Sequence, residues 1–301
     1  MEETKKVSVI LPVYNGEDSV SDSIESVLNQ TYGNLEFIIV NDCSTDGTAQ
    51  IIEEYAKQDT RIILIHNKTN QKLPRSLNIG FQAATGEYLT WTSDDNIYRK
   101  SAIERMVYAL ECDSDAGMVY ADFTVVNEIN DEVETWATVV AAPENLRLRN
   151  VVGACFLYRH DVADKTGIYD PEMFLAEDYD YWIRIWNNAK CIALHEDLYI
   201  YRLQPTGLTA TRGEAVRKQT GAVISKHFNF LYSTCNTDEE RIDFFDNLIS
   251  YTADDKKREE LKRMYKYMPS YKFYRAIKQA KSVFGEIVSR INKILGSGLN
   301  E

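Results

Sequence analysis

Nowhere in the 301 residues do about 18 apolar residues run together, which excludes a membrane-spanning helix. Met1 to Lys6 lead directly into a strand-like pattern and lack the apolar stretch of a secretory leader, so a cytoplasmic chain is expected. The five cysteines (Cys43, Cys112, Cys155, Cys191 and Cys235) are odd in number, scattered and never paired as Cys-x-x-Cys. That points to reduced, mostly packed thiols rather than a disulfide framework. Internal repeats and low-complexity linkers are missing as well. Positive charge is in deficit: the formal net charge of −12 argues against a nucleic-acid partner. The deficit is uneven, because residues 256–293 hold twelve Lys and Arg against three Glu, a local +9 that leaves −21 on the rest. A C-terminal segment of opposite sign suggests a partner of its own.

With 44% hydrophobic and 27% charged residues, the chain has the composition of a soluble globular protein, long enough for one large domain or a domain with an appendage. Residues 7–11 form an unbroken apolar run, as in a strand buried on both faces, and Pro12 is expected to end it because proline cannot donate to a ladder. Strand patterns near 35–40, 61–66 and 87–91 alternate with helical spacing near 20–28, 49–56 and 73–84. This alternation predicts an open, mostly parallel α/β sheet flanked by helices, with ligands bound beyond the carboxyl ends of its strands. Three polar or acidic loops, 12–16, 41–47 and 92–96, fall at those ends.

After a helix over 103–110, strands at 117–126 and 133–140 are joined by a polar turn and are expected to be antiparallel. A strand at 153–159, a loop at 164–177, a helix starting just after Glu177-Asp178 and a strand at 191–203 follow. The expected organisation is a catalytic domain over 1–212 and a helical C-terminal region over 213–301.

The stretch Thr92-Ser93-Asp94-Asp95-Asn96 carries the sharpest chemistry. Adjacent carboxylates at the end of a buried strand are costly without a counter-charge, which a divalent cation would supply while holding a phosphate. The plainer reading is that Asp94 and Asp95 end the strand and cap the next helix. Glu177-Asp178 likewise reads either as a general base with its neighbour or as an acidic pair favoured by a helix N-terminus.

Taken in order, Val-Ile-Leu-Pro-Val-Tyr-Asn (9–15), Asp42-x-Ser-x-Asp-Gly47, Leu77-Asn78-x-Gly80, Gly86-Glu-Tyr88, Ser93-Asp94-Asp95 and Glu177-Asp178 resemble family 2 glycosyltransferases, especially SpsA-like bacterial members of polysaccharide synthesis. The likeness runs from residue 5 to about 205. It implies a GT-A nucleotide-diphospho-sugar transferase fold with a helical C-terminal extension, and an inverting, Mn²⁺- or Mg²⁺-dependent transfer from a UDP-sugar to a saccharide or lipid-linked saccharide hydroxyl. By the same resemblance, Pro12, Val13, Tyr14 and Asn15 form the base-packing loop and Asp42 accepts the imide N–H of uracil. Asp95 and Asp94 serve the metal, with Asp94 also near the ribose, and Asp178 is the base with Glu177 beside it. Gly153 and Ala154 lie on the acceptor side. Arg75 and Lys72, placed before a helix, read either as contacts for the diphosphate or as solvated surface charge.

Two positions depart from the family's commonest pattern. Thr92 stands where many members have an Asp, and Gln204 where many have a metal-binding His. A sparse protein ligand set is therefore expected, with the metal relying on diphosphate and water. Competing readings are a non-catalytic nucleotide-sugar-binding or scaffolding protein of the same fold, and a sugar nucleotidyltransferase. The latter lacks support, because no Gly-rich phosphate loop follows the first strand. An apolar stripe from Phe273 to Leu295 with flanking Lys and Arg suggests, over 271–295, either a peripheral contact with the inner face of the cell membrane or packing on the chain's own domain or in a homodimer.

Overall fold

The sheet grows from β1 (Val7–Val13), every residue of which is buried. It lies between β2 (Leu35–Asn41) and β4 (Tyr88–Trp91), both parallel to it, and β3 (Ile62–His66) extends the parallel run beyond β2. The computed structural model describes residues 4–129, 132–204, 207, 211–252 and 254–266. β1 continues through Pro12, which pairs in register with Val40, and Val13 pairs with Asn41. The expected stop at Pro12 therefore comes one residue later. Proline removes only its own donor, and the Val13 carbonyl still accepts the Asp42 N–H at 2.8 Å.

Helices α1 (Val20–Leu28), α2 (Thr48–Gln58) and α3 (Leu73–Ala83) connect these strands. The periodicity that marked them is the burial pattern: Val20, Ile24 and Val27 of α1 are fully buried, as are Ile52 of α2 and Leu77 of α3.

Beyond β4 the sheet becomes mixed. Its order is β3-β2-β1-β4-β8-β6-β9-β5, with β7 paired to β6 off this path. Here β5 is Ile97–Tyr98, β6 is Ala116–Ile129, β7 is Glu132–Thr138, β8 is Phe156–Arg159 and β9 is Lys190–Leu203. The hairpin of β6 and β7 is antiparallel, as its polar turn suggested, whereas β6 and β9 run parallel with register shifts near Ala121 and Asp122. α4 (Ala102–Cys112) buries Ile103, Met106, Val107 and Leu110. The stretch expected as a loop over 164–177 holds the end of a helix, α5 (His160–Thr166), and a short 3₁₀ turn at Pro171–Met173. Two turns of α5 were too few to show a helical period.

α6 (Glu177–Asn188) begins at the acidic pair and packs Trp182 and Tyr181 into an aromatic cluster in which Tyr169 stacks on Tyr181 at 3.9 Å. By contacts, one compact unit runs from Met1 to His227 and a second from Phe228 to Glu301. The first thus takes in α7 (Gly213–Lys226), fifteen residues or so past the boundary the sequence suggested near 212, because Lys226 and His227 both reach Asp180 of α6. The second contains helices at Phe228–Ser233, Asp238–Tyr251 and Asp255–Lys266, the middle one opened by a capping box of Thr237 and Glu240. The amphipathic stripe of 271–295 lies outside the described residues.

Candidate active site

The loops at the carboxyl ends of β1 and β2 are stitched together. Pro12 and Val13 stay buried in β1, and the accessible part of this segment begins at Tyr14, which is 50% exposed and so not a core aromatic. Asn15 adopts a left-handed backbone, φ 56°, that its short amide tolerates. Its N–H donates to Ser44 Oγ at 3.0 Å and its Oδ1 accepts the Thr45 N–H at 2.8 Å. Gly16 N–H donates to Thr48 Oγ1.

Asp42 is 4% exposed and braces the next loop. Its Oδ1 accepts from Asn67 Nδ2 at 2.8 Å and Gln71 N–H at 2.7 Å, and its Oδ2 accepts from Lys72 N–H at 2.9 Å. The local turn that could have explained this aspartate is made by others: Asn41 Oδ1 accepts the Ser44 N–H, and Asp46 Oδ1 accepts from Thr48 at the start of α2. A carboxylate accepts about four hydrogen bonds, so Oδ2 of Asp42 keeps one acceptor position for a ligand. Arg75 stands in the first turn of α3, whose N-terminus Asp42 holds through Lys72; it is exposed and forms no ion pair among the described residues.

The 92–96 loop is pinned on every side. Thr92 N–H donates to the Ile10 carbonyl, Ser23 Oγ donates to the Ser93 carbonyl, and the Asn96 Oδ1 accepts the Arg202 N–H. Thr92 itself is 1% exposed with its hydroxyl on that of Tyr199 at 2.6 Å, so it supports the loop from beneath. Asp94 leans against the β1 loop: a Cβ on Gly16 would collide with its Oδ2, and glycine there is what admits the carboxylate.

Burial, and then the charge of Asp95, push the Asp94 carboxyl up to about 7. Asp95 is also raised by burial, with Arg202 opposing the rise. Neither takes a hydrogen bond from a side chain among the described residues. Among those residues no three His, Cys, Asp or Glu gather into a metal cage. Two crowded, under-compensated carboxylates nevertheless fit a hard divalent cation that brings phosphate and water as its remaining ligands.

At the start of α6, Asn150 Nδ2 donates to Asp178 Oδ2 at 2.7 Å, and the Tyr179 N–H donates to Asp178 Oδ1 at 2.7 Å. Burial raises the Asp178 carboxyl, and these two bonds oppose the rise. Glu177, 5% exposed, accepts the N–H of Leu175 at 2.7 Å and so steadies a residue at φ 80°, a conformation costly for leucine. Burial, and then the Asp178 charge, lift the Glu177 carboxyl to about 8, which favours its protonated form at neutral pH. Gly153 has φ 68° and a Cβ there would stand 2.5 Å from the Phe123 ring; Ala154 follows at the edge of the core.

Two contributors escaped the sequence reading. Asn150 lies 28 residues before Asp178, and no motif spacing links them. Asp180, fully buried, is met by His227 Nε2 at 2.8 Å, Lys226 Nζ at 2.7 Å and Arg184 Nε at 2.9 Å. Burial alone would raise its carboxyl, but the bonds from His227 and Lys226, with Arg184 beside them, hold it at about 2. Only the i,i+4 spacing of Asp180 and Arg184 was a legible signal.

Residues 8–167 match the profile described as Glycosyl transferase family 2. A Haemophilus influenzae protein described as an uncharacterized glycosyltransferase is 34% identical over 224 residues, covering 67% of each chain. The Bacillus subtilis protein TuaG, described as a putative teichuronic acid biosynthesis glycosyltransferase, is 26% identical over 217 residues, 70% of this chain and 84% of its own. Among solved structures, S. aureus TarS in complex with UDP-GlcNAc superposes with a TM-score of 0.59 at 18% identity, over 82% of this chain and 80% of that one. The mannosyltransferase PcManGT from Pyrobaculum calidifontis, in complex with GDP-Man and Mn²⁺, gives 0.58 at 16% identity, over 97% and 88%. The structural neighbours share the GT-A fold, and the match to the family profile extends over more than half of the sequence: the chain belongs to glycosyl transferase family 2.

Proposed function

We propose that this chain is an inverting glycosyltransferase that moves a sugar from a UDP-sugar to a saccharide hydroxyl during bacterial surface-polysaccharide assembly. The observation that carries this reading is the contrast between two buried carboxylate pairs, one under-compensated beside the β1 loop and one braced at the start of α6. Tyr14 and the remaining acceptor position on Asp42 are suited to a uracil ring, and Arg75 to a phosphate. Asp95 and Asp94 would hold Mn²⁺ or Mg²⁺, which when bound neutralises the diphosphate leaving group. Asp178, oriented by Asn150, takes the proton of the acceptor hydroxyl, while protonated Glu177 keeps the Leu175 turn in place. The saccharide acceptor and the polysaccharide setting draw on TuaG, the UDP donor on TarS; PcManGT, solved in complex with GDP-Man, is the reason to test both nucleotides. If the acceptor is lipid-linked, the basic stripe of 271–295 would serve as its contact with the inner membrane face, with a homodimer as the alternative use of that stripe.

Calorimetry with UDP and with GDP, each with and without Mn²⁺, is the direct test. UDP should bind only with metal present, and metal should bind weakly in the absence of nucleotide. Tight binding of GDP with none of UDP would overturn the donor assignment.

A further inference from the structure

Between the two carboxylate sites lies an aromatic pair that neither of them uses. Tyr201 of β9 packs edge-on against Phe123 of β6, ring centroids 6.2 Å apart and planes at 62°. On one side the pair adjoins the donor carboxylates: Arg202, next along β9, gives its N–H to Asn96, the residue after Asp95. On the other it adjoins the base: Phe123 lies against Gly153, and Asn150, three residues earlier, holds Asp178.

Tyr201 is partly buried, and its hydroxyl takes no hydrogen bond among the described residues. Tyr98, Tyr120, Tyr179 and Tyr199 each spend theirs on a neighbour. Its oxygen is not among the sealed, unpartnered polar atoms of the described residues, so it stays open to water and can exchange that water for a ligand hydroxyl. Burial, then the charges of Asp95 and Asp178, raise its pKa, so the hydroxyl stays protonated and feels both sites.

We propose that Tyr201 contacts a pyranose at the junction of the donor and acceptor sites, its ring against a C–H face of the sugar and its hydroxyl on a sugar hydroxyl. An aromatic ring with a polar tip suits a ligand that is apolar on its faces and polar at its rim. The pyranose is either the sugar being transferred or the first sugar of the acceptor. The inference rests on the reading of Asp95 and Asp178 given above.

The test uses the full chain with Mn²⁺, a panel of UDP- and GDP-sugars, and p-nitrophenyl glycosides as acceptors. Tyr201→Phe removes only the hydroxyl and Tyr201→Leu removes the ring; UDP binding and the thermal midpoint are followed alongside. Tyr201→Phe should lower turnover about tenfold, the worth of one hydrogen bond, and Tyr201→Leu more, with UDP affinity unchanged. A loss already present in donor hydrolysis assigns the contact to the transferred sugar. A loss confined to transfer, with KM for the acceptor raised, assigns it to the acceptor. Wild-type rates in Tyr201→Phe, beside a wild type that binds UDP and turns over, overturn this proposal alone. A wild type that neither binds nor hydrolyses any nucleotide sugar overturns the underlying reading and this proposal with it.

Discussion

The pairs Asp94/Asp95 and Glu177/Asp178 look alike in sequence and are built in opposite ways. Both are lifted by burial, Asp94 to about 7 and Glu177 to about 8. The second pair is internally answered: Asn150 and a backbone N–H hold Asp178, and the Leu175 N–H holds Glu177. The first is framed through Thr92, Ser93 and Asn96, but among the described residues no side chain donates to it, and its own backbone and the Arg202 charge near Asp95 are what oppose the rise. A carboxylate whose orientation is set by the fold is suited to act as a base as it stands, whereas a crowded pair without side-chain donors is suited to a cation.

The largest effects should separate the two. Asp178→Asn removes the proposed base and should cut transfer by roughly 10²- to 10⁴-fold while UDP and Mn²⁺ bind as before; retained transfer would take Asp178 out of its role. Asp95→Asn should lose metal-dependent UDP binding and with it several kcal/mol of rate, on the order of 10²-fold or more. If both variants gave the same pattern, binding lost together with rate, the contrast between a braced base and an open cation site would collapse. Calorimetry and initial rates on the same two proteins decide it.

What made the first pair legible was local. A strand pattern ending in two acids, at the carboxyl end of a parallel sheet, is written in a few adjacent residues, and so are the β1 loop and Asp42. The alternation of strands and helices likewise revealed the parallel half of the sheet. The second half was less readable because its determinants are distant: β6 pairs with β9 over some seventy residues, and Asn150 meets Asp178 only through that fold. Thr92 was read as a possible missing ligand. Its hydroxyl instead goes to Tyr199, 107 positions on, and no pattern within one stretch of chain announces such a contact.

α6 extends the comparison within a single helix. Two residues beyond Asp178, Asp180 faces cations and is held at about 2, below the ordinary aspartate value near 3.9. A depressed carboxylate contributes stability that is complete above its unfolded pKa and is lost as pH falls through the folded one, here from about pH 4 down to about 2. Asp180→Asn should therefore cost about 2–3 kcal/mol at neutral pH, discounted because Lys226 and Arg184 keep access to water. Thermal unfolding between pH 3 and 7 would register a smaller acid-limb slope in the variant. An unchanged midpoint at neutral pH would mean that α7 is not held to the base helix by this cluster.

The mildest change should probe the brace itself. Asn150→Ala leaves Asp178 its Tyr179 N–H and removes the one side-chain bond that, among the described residues, steadies its charged form. Losing a bond of this kind should reduce turnover about tenfold. Because that bond lowers the Asp178 carboxyl, its loss raises the base further, so the acidic limb of the rate profile should move to higher pH. A fall in rate without that movement would mean that Asn150 orients Asp178 without tuning it. Movement without a fall would mean the reverse. An Asn150→Asp chain sharpens the distinction, since a further carboxylate beside Asp178 would push the limb higher still.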